Sequence, residues 1–403
     1  MKSVDTGIFV LALMCLLCVF GCTVQWTKAI RYGVIEKEHF NETVQTEVRN
    51  GLHILPVVIR GKTYRFLLDT AAPFSISKAL QEEYKFKIVS KGHIIDSDQN
   101  RESVDYVAVD SLLIGSVSFK EQTAFVADFE SNPIIKCLEI DGIVGSNLMR
   151  HCSWSIDYQQ GQISLTDQVD LESLGDYSSL PFKSDSQFNI LLDVNIGESK
   201  IQNLTLDCGY NGSVSLPANV FEVLNKKEEL GEVFLEEGIS QSGLIGVPVS
   251  LKKRISHVDS VWIGDSFLEH VELNSGGSGL IGGHLLSRFI VTIDWKRSNL
   301  YLLQSDTHVD KEQFGFKAGY SESRGIYIQS ITEGSTAFET GILTGMQVMK
   351  IDSLDFESGH GFCDYVTFIE NAPEEIQLEL LDKNGLRKKV NIKRAALNKF
   401  EEQ

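Results

Sequence analysis

Positive charge is scarce in this chain. Across 403 residues, 37 Lys and Arg stand against 55 Asp and Glu, a formal charge of −18. The one compact basic run, Lys252-Lys253-Arg254, is too short to neutralise a phosphate backbone, so no nucleic acid partner is expected. A long hydrophobic run is also missing. The most apolar stretch, residues 8–20, has 13 residues, too few for a comfortable membrane span. Beyond that stretch there is no Cys-x-x-Cys pair or His cluster, so no metal site is expected. No Ser, Cys or His triad can be read either, and Gly-Ser fragments such as Gly276-Gly277-Ser278-Gly279 read as loops.

The hydrophobic content of 42% is that of a chain able to fill two or three domain cores. Lys2 precedes the apolar run, which ends in Gly21-Cys22, and together they suit a signal peptide. Val19-Phe20-Gly21-Cys22 resembles the bacterial lipoprotein box, which implies lipidation at Cys22, a membrane contact limited to that anchor, and a periplasmic or cell-envelope location. A plain secretory signal is the alternative, and either way the chain is expected to leave the cytosol. Of the seven cysteines, Cys137 and Cys152 are a candidate pair in an oxidising compartment. Asn41, Asn203 and Asn211 open glycosylation triplets, which matter only in a eukaryote.

From Leu52 the pattern is β-rich, with short alternating or apolar runs between Gly, Asn, Asp and Ser. It also says the same thing twice. Residues 53–69 read as a hairpin turned at Gly61-Lys62 and ending Phe66-Leu67-Leu68-Asp69-Thr70-Ala71. Residues 189–207 read as another, turned at Gly197-Glu198 and ending Leu204-Thr205-Leu206-Asp207-Cys208-Gly209. Asp141-Gly142-Ile143-Val144-Gly145 is answered by Ser278-Gly279-Leu280-Ile281-Gly282, and Ser155-Ile156-Asp157-Tyr158 by Thr292-Ile293-Asp294-Trp295. Asp69 and Asp207 lie 138 residues apart, while Gly145 to Gly282 and Asp157 to Asp294 are each 137. One register held over so long a stretch predicts a duplicated β domain. Two such lobes about a pseudo-twofold axis bring Asp69 and Asp207 face to face, where both cannot easily ionise.

Asp69-Thr70-Ala71-Ala72 resembles the Asp-Thr-Gly-Ala signature of aspartic proteases, Asp207-Cys208-Gly209 resembles its second-lobe partner, and Ile143-Val144-Gly145 and Leu280-Ile281-Gly282 match the family's apolar-apolar-Gly hallmark. The resemblance covers about residues 52–304 and is nearest to single-chain bacterial pepsin/retropepsin-like proteases. It implies a mainly β fold of two pepsin/retropepsin-like lobes with the active site between them, and an endopeptidase in which Asp69 and Asp207 activate a water against a peptide substrate, with no cofactor. Thr70, Ala71, Cys208 and Gly209 would support the dyad. Ala71 stands for the usual Gly and Cys208 for the usual Thr or Ser, so a Cβ and a weak thiol donor enter the two loops. Tyr210 stands where a small residue is common. A catalytically inactive, peptide-binding scaffold is the alternative. Residues 91–101, around Asp96-Ser97-Asp98, are expected to form either a flap over the cleft or an exposed hairpin.

After Gln304 the texture changes to a strand at residues 325–331, a short helix at 335–341, a strand at 346–351 and a hairpin turned at Asn384-Gly385. This order resembles a PDZ domain, a small α+β unit. The resemblance implies a carboxylate-binding loop at Phe314-Gly315-Phe316, a strand edge at Ile326 to Ile328 that accepts a peptide, and binding of a peptide C-terminus by strand addition. The expected organisation is a signal peptide at 1–22, a linker at 23–48, lobes at 49–180 and 181–305, and the PDZ-like unit at 306–403.

Overall fold

The structure is a computed structural model that describes residues 24–305, 312–357, 359 and 361–397; Cys22 and the segment expected to be a signal peptide lie outside the described residues. The chain is mainly β. In the first lobe, Leu52–Ile59 and Lys62–Asp69 form an antiparallel hairpin with Ile59 opposite Lys62. Its two-residue turn puts both Arg60 and Gly61 at positive φ, a geometry that keeps the twist of the flanking strands. The second lobe repeats this hairpin with Ile190–Ile196 and Ser199–Asp207.

Each lobe then threads a short apolar strand beside its aspartate. Gly142–Gly145 runs parallel to the end of the first hairpin, with Gly145 opposite Asp69. Leu280–Gly282 runs parallel to the end of the second, with Gly282 opposite Asp207. On its other side each strand pairs antiparallel with the strand that follows the aspartate turn, Ser75–Ser77 or Val214–Pro217. The duplication in the sequence is therefore a duplication of strand register.

A six-stranded sheet lies under both lobes, in the order Ser178–Pro181, Asn299–Gln304, Phe289–Asp294, Ser153–Asp157, Gln162–Thr166, Asn41–Gln45. At its centre the repeat-equivalent residues Ser155 and Thr292 are direct antiparallel partners, their hydroxyls 3.0 Å apart. Pairing of equivalent positions places the pseudo-twofold axis between them. A single core of fully buried side chains, including Phe66, Leu68, Phe74, Trp154, Phe221 and Phe289, runs through both lobes.

Three expectations are corrected here. Residues 23–48 are not a linker. Trp26–Ala29 is a helix, Val34–Ile35 pairs with Val117–Ala127, and Asn41–Gln45 is the outer strand of the shared sheet, where it answers Ser178–Pro181 at the opposite edge. Its polar letters reflect that edge, since only Val44 turns into the core. Cys137 bonds to Cys363 and not to Cys152. Cys152 packs as a free thiol in the main core, whereas Cys137 belongs to the core of the C-terminal unit. The strand Gly325–Thr332 is not an edge. It pairs with Phe316–Ser321 on one side and with Phe234–Ser240 and Gln347–Ile351 on the other, and Ile326 and Ile328 are buried.

The C-terminal unit has the expected strand, helix, strand and hairpin order, with an additional helix, Phe362–Glu370. It is built onto the lobes rather than tethered beside them. Phe234–Ser240 extends its sheet, the buried Glu236 carboxylate accepts from Lys317 Nζ at 2.8 Å and Ser330 Oγ at 2.7 Å, and Arg49 Nε donates to Glu370 at 2.8 Å.

The close approach that positions Asp69 is testable. A Cβ on Gly145 would lie 2.2 Å from the Pro73 carbonyl carbon and 2.3 Å from Ala72 O, all backbone. Gly145→Ala should therefore lower stability by about 2–3 kcal/mol, read as a shifted urea midpoint.

Candidate active site

Asp69 closes its strand, and the chain turns so that the Ala71 amide donates to Asp69 Oδ1 at 2.8 Å. Asp207 is held in the same way, with the Gly209 amide donating to Asp207 Oδ1 at 3.0 Å. The two loops are strapped together by Thr70. Its buried hydroxyl donates to Leu206 O at 2.6 Å and accepts from Cys208 N at 3.0 Å, reaching from one lobe to both sides of the other lobe's aspartate. The contact is tight enough that a Cβ on Gly209 would stand 2.5 Å from the Asp69 carboxyl carbon. Gly209 is thus required by sterics, and Thr70 by two backbone groups that would otherwise be buried unpaired.

The strap is asymmetric. Where a hydroxyl at position 208 would make the reciprocal bonds, Cys208 places a buried thiol beside Thr70 and the Tyr158 hydroxyl. The Tyr158 ring meets His53 edge-on with centroids 4.7 Å apart. Burial pushes the Cys208 thiol up to about 12, so it stays protonated and acts as packing rather than as a nucleophile. The bulk of Tyr210 is absorbed by glycines. Its ring lies over Gly212 and Gly282, where added Cβ atoms would fall 2.2 and 2.5 Å from it, and its hydroxyl accepts from Asn274 Nδ2 at 2.8 Å.

The two carboxylates have unequal acidities. Burial raises Asp69 to about 6, against the opposing pull of the Ala71 and Ala72 amides. Burial and the negative charge of Asp69 hold Asp207 well above the usual carboxylate range, against the amides of Gly209 and Tyr210. Both residues are half-buried. Two carboxyls held this close in a buried site resist ionising together.

Residues 91–101 form the tip of a hairpin between Lys87–Ile95 and Arg101–Ile114. The tip is not free. Asp98 accepts from Ser240 Oγ, Ser242 Oγ and the Gly243 amide, and Asp96 accepts from the Ile245 amide at 3.0 Å. Loop 240–247 is the tip of the corresponding second-lobe hairpin, Phe234–Ser240 and Val249–Val258, so the two hairpins meet across the lobe boundary.

Residues Phe314, Gly315 and Phe316 lie at the start of the C-terminal unit. Phe314 is buried, the Gly315 carbonyl accepts from the Thr332 amide at 2.8 Å, and Phe316 begins a strand with one partner only, Gly325–Thr332. That strand, Phe316–Ser321, and not Ile326 to Ile328, carries the unit's unpaired edge among the described residues. No group of three His, Cys, Asp or Glu close enough to hold a metal ion occurs among the described residues.

Residues 55–148 match the family model described as Aspartyl protease. The matched span holds Asp69 and its partner strand Gly142–Gly145, the aspartate half of the first lobe. No curated protein matches the chain. Sequence reasoning missed Tyr158 and Asn274, whose contacts arise from tertiary packing. Only Tyr158 carried a signal, as the repeat equivalent of Trp295.

A carboxyl whose folded pKa is raised destabilises the fold as pH rises through the interval between its unfolded and folded values. Replacing Asp207 by Asn removes that cost. Asp207→Asn should raise stability at neutral pH, and the gain should shrink as pH falls to the ordinary carboxylate range, as read by thermal unfolding across pH.

Proposed function

We propose that the chain is an aspartic endopeptidase working through a water held between Asp69 and Asp207. The observation that carries this reading is two buried carboxyls from equivalent positions of a duplicated register, their loops strapped by Thr70 and both held above the usual carboxylate range. In the reaction, ionised Asp69 takes a proton from the water as its oxygen attacks the peptide carbonyl, and Asp207 gives its proton to the carbonyl oxygen. Collapse of the tetrahedral diol returns a proton to Asp207, passes the Asp69 proton to the amine nitrogen, and breaks the C–N bond. The hairpin tips at 91–101 and 240–247 roof the cleft and exclude bulk water from the developing charge.

The C-terminal unit, on the same proposal, binds extended peptides or substrate C-termini in PDZ fashion, by adding a strand to the edge of Phe316–Ser321 beside Phe362–Glu370. Export through residues 1–22, with lipidation at Cys22 of a bacterial cell-envelope protein, fits a chain that carries a disulfide. The second reading, an inactive peptide-binding scaffold, is favoured by one observation. The strap is made from Thr70 alone, with a thiol at Cys208.

Cleavage of casein by the purified protein, with Asp69→Asn and Asp207→Asn alongside, separates the two readings. Each substitution should reduce kcat/KM by a factor of roughly 10³ or more. The wild-type rate should fall as pH drops through about 6, where Asp69 takes up its proton. A folded wild type that cleaves nothing from about pH 3 to about pH 8 would leave the scaffold reading standing.

A further inference from the structure

Segment 132–137 stands between the two parts of the molecule that the proposed function uses. The short helix Pro133–Lys136 emerges from the first lobe and packs against both Phe316–Ser321 and Phe362–Glu370. Ile134 packs on the core of the C-terminal unit, Cys137 is buried in the same core as Phe362, and Cys137 is bonded to Cys363 on the helix Phe362–Glu370. This is the path an extended peptide would follow along the unpaired edge.

The other side of the segment holds the second-lobe hairpin tip. Asn132, with no exposed surface, donates from Nδ2 to Gln241 O at 2.9 Å and Gly243 O at 2.7 Å, while its Oδ1 caps the helix by accepting from Ile134 N and Ile135 N. A Cβ on Gly246 would lie 2.8 Å from Asn132 Cα, and Leu244 packs into the cluster that contains Phe129 and Ile135. The same loop is bonded on its far side by Asp96 and Asp98.

We propose that segment 132–137 is a plug latched by the Cys137–Cys363 disulfide, which blocks the peptide path of the C-terminal unit and pins loop 240–247 over the cleft until a dithiol reductant releases it. Cys363 is an exposed residue and Cys137 a buried one, which favours attack at the Cys363 sulfur. A thiolate of the reductant bonds to Cys363 Sγ, the disulfide breaks, and Cys137 leaves as a thiolate that takes a proton from water. The reductant's second thiol then closes its own disulfide and frees Cys363 as a thiol. The half-buried helix loses its covalent tether, Ile134 can leave the core of the C-terminal unit, and the Asn132 bonds to Gln241 and Gly243 go with it. The opened groove then takes an extended peptide, while the loosened tip admits substrate to the dyad.

This inference rests on reading the hairpin tips as the roof of a protease cleft, so its test uses a readout that needs no activity. Hydrogen exchange is followed in the oxidised protein, in the same protein with dithiothreitol, and in Cys363→Ser and Cys137→Ser. The amides of Cys137, Leu138, Gly243 and Ile245 should exchange roughly tenfold faster in every form lacking the disulfide, while those of residues 66–69 and 204–207 keep their protection. Casein cleavage should rise in parallel. Faster exchange without cleavage in any form would support the latch and sink the protease reading. Unchanged exchange at those four amides in the reduced wild type would overturn the latch, whatever the variants do.

Discussion

A single hydroxyl holds the two halves of the site in register. Thr70 spends both its hydrogen-bonding directions on the opposite lobe, donating to Leu206 O and accepting from Cys208 N, and so clamps the peptide units on either side of Asp207. Because the clamp is made at the pseudo-twofold axis, it also fixes Gly209 against the Asp69 carboxyl. Two acids brought together in this way resist ionising together, and the cost of burying them is offset by amides that each loop aims at its own carboxylate. The sheet beneath, centred on Ser155 and Thr292, keeps the axis in place and leaves the loops above it to vary.

The C-terminal unit is part of the same mechanical system. It meets the second-lobe hairpin by strand pairing and the buried Glu236 carboxylate, and it meets the first lobe through Arg49 and the Cys137–Cys363 bond. The second-lobe hairpin is therefore gripped at its base by the unit and at its tip by Asn132, Asp96 and Asp98. A change of state at the unit has a direct covalent and hydrogen-bonded route to the cleft, with no need for a change in the lobe cores.

What could be read from the amino acids was what repeats. The offsets of 137 and 138 exposed the duplication because each repeat places an acid opposite a glycine, and neither can be exchanged without burying a strained or uncompensated group. The strand Asn41–Gln45 stayed hidden because an edge strand with one inward Val looks like a polar linker. Ile326 and Ile328 misled for the opposite reason, since alternating apolar residues mark a buried strand and do not reveal which of its sides is paired. The Cys137–Cys363 link joins residues 226 apart in different units, and no spacing rule could have anticipated it.

The claim on which the rest hangs is that Asp69 and Asp207 hold one proton between them near neutral pH. Selective carbon-13 labelling of aspartate side chains, with Asp69→Asn and Asp207→Asn used to assign the two signals, measures this by NMR titration. The account predicts that the Asp69 carboxyl carbon titrates at about 6 while that of Asp207 stays protonated to higher pH. Two independent carboxyls both ionising near about 4, the ordinary value, would contradict it.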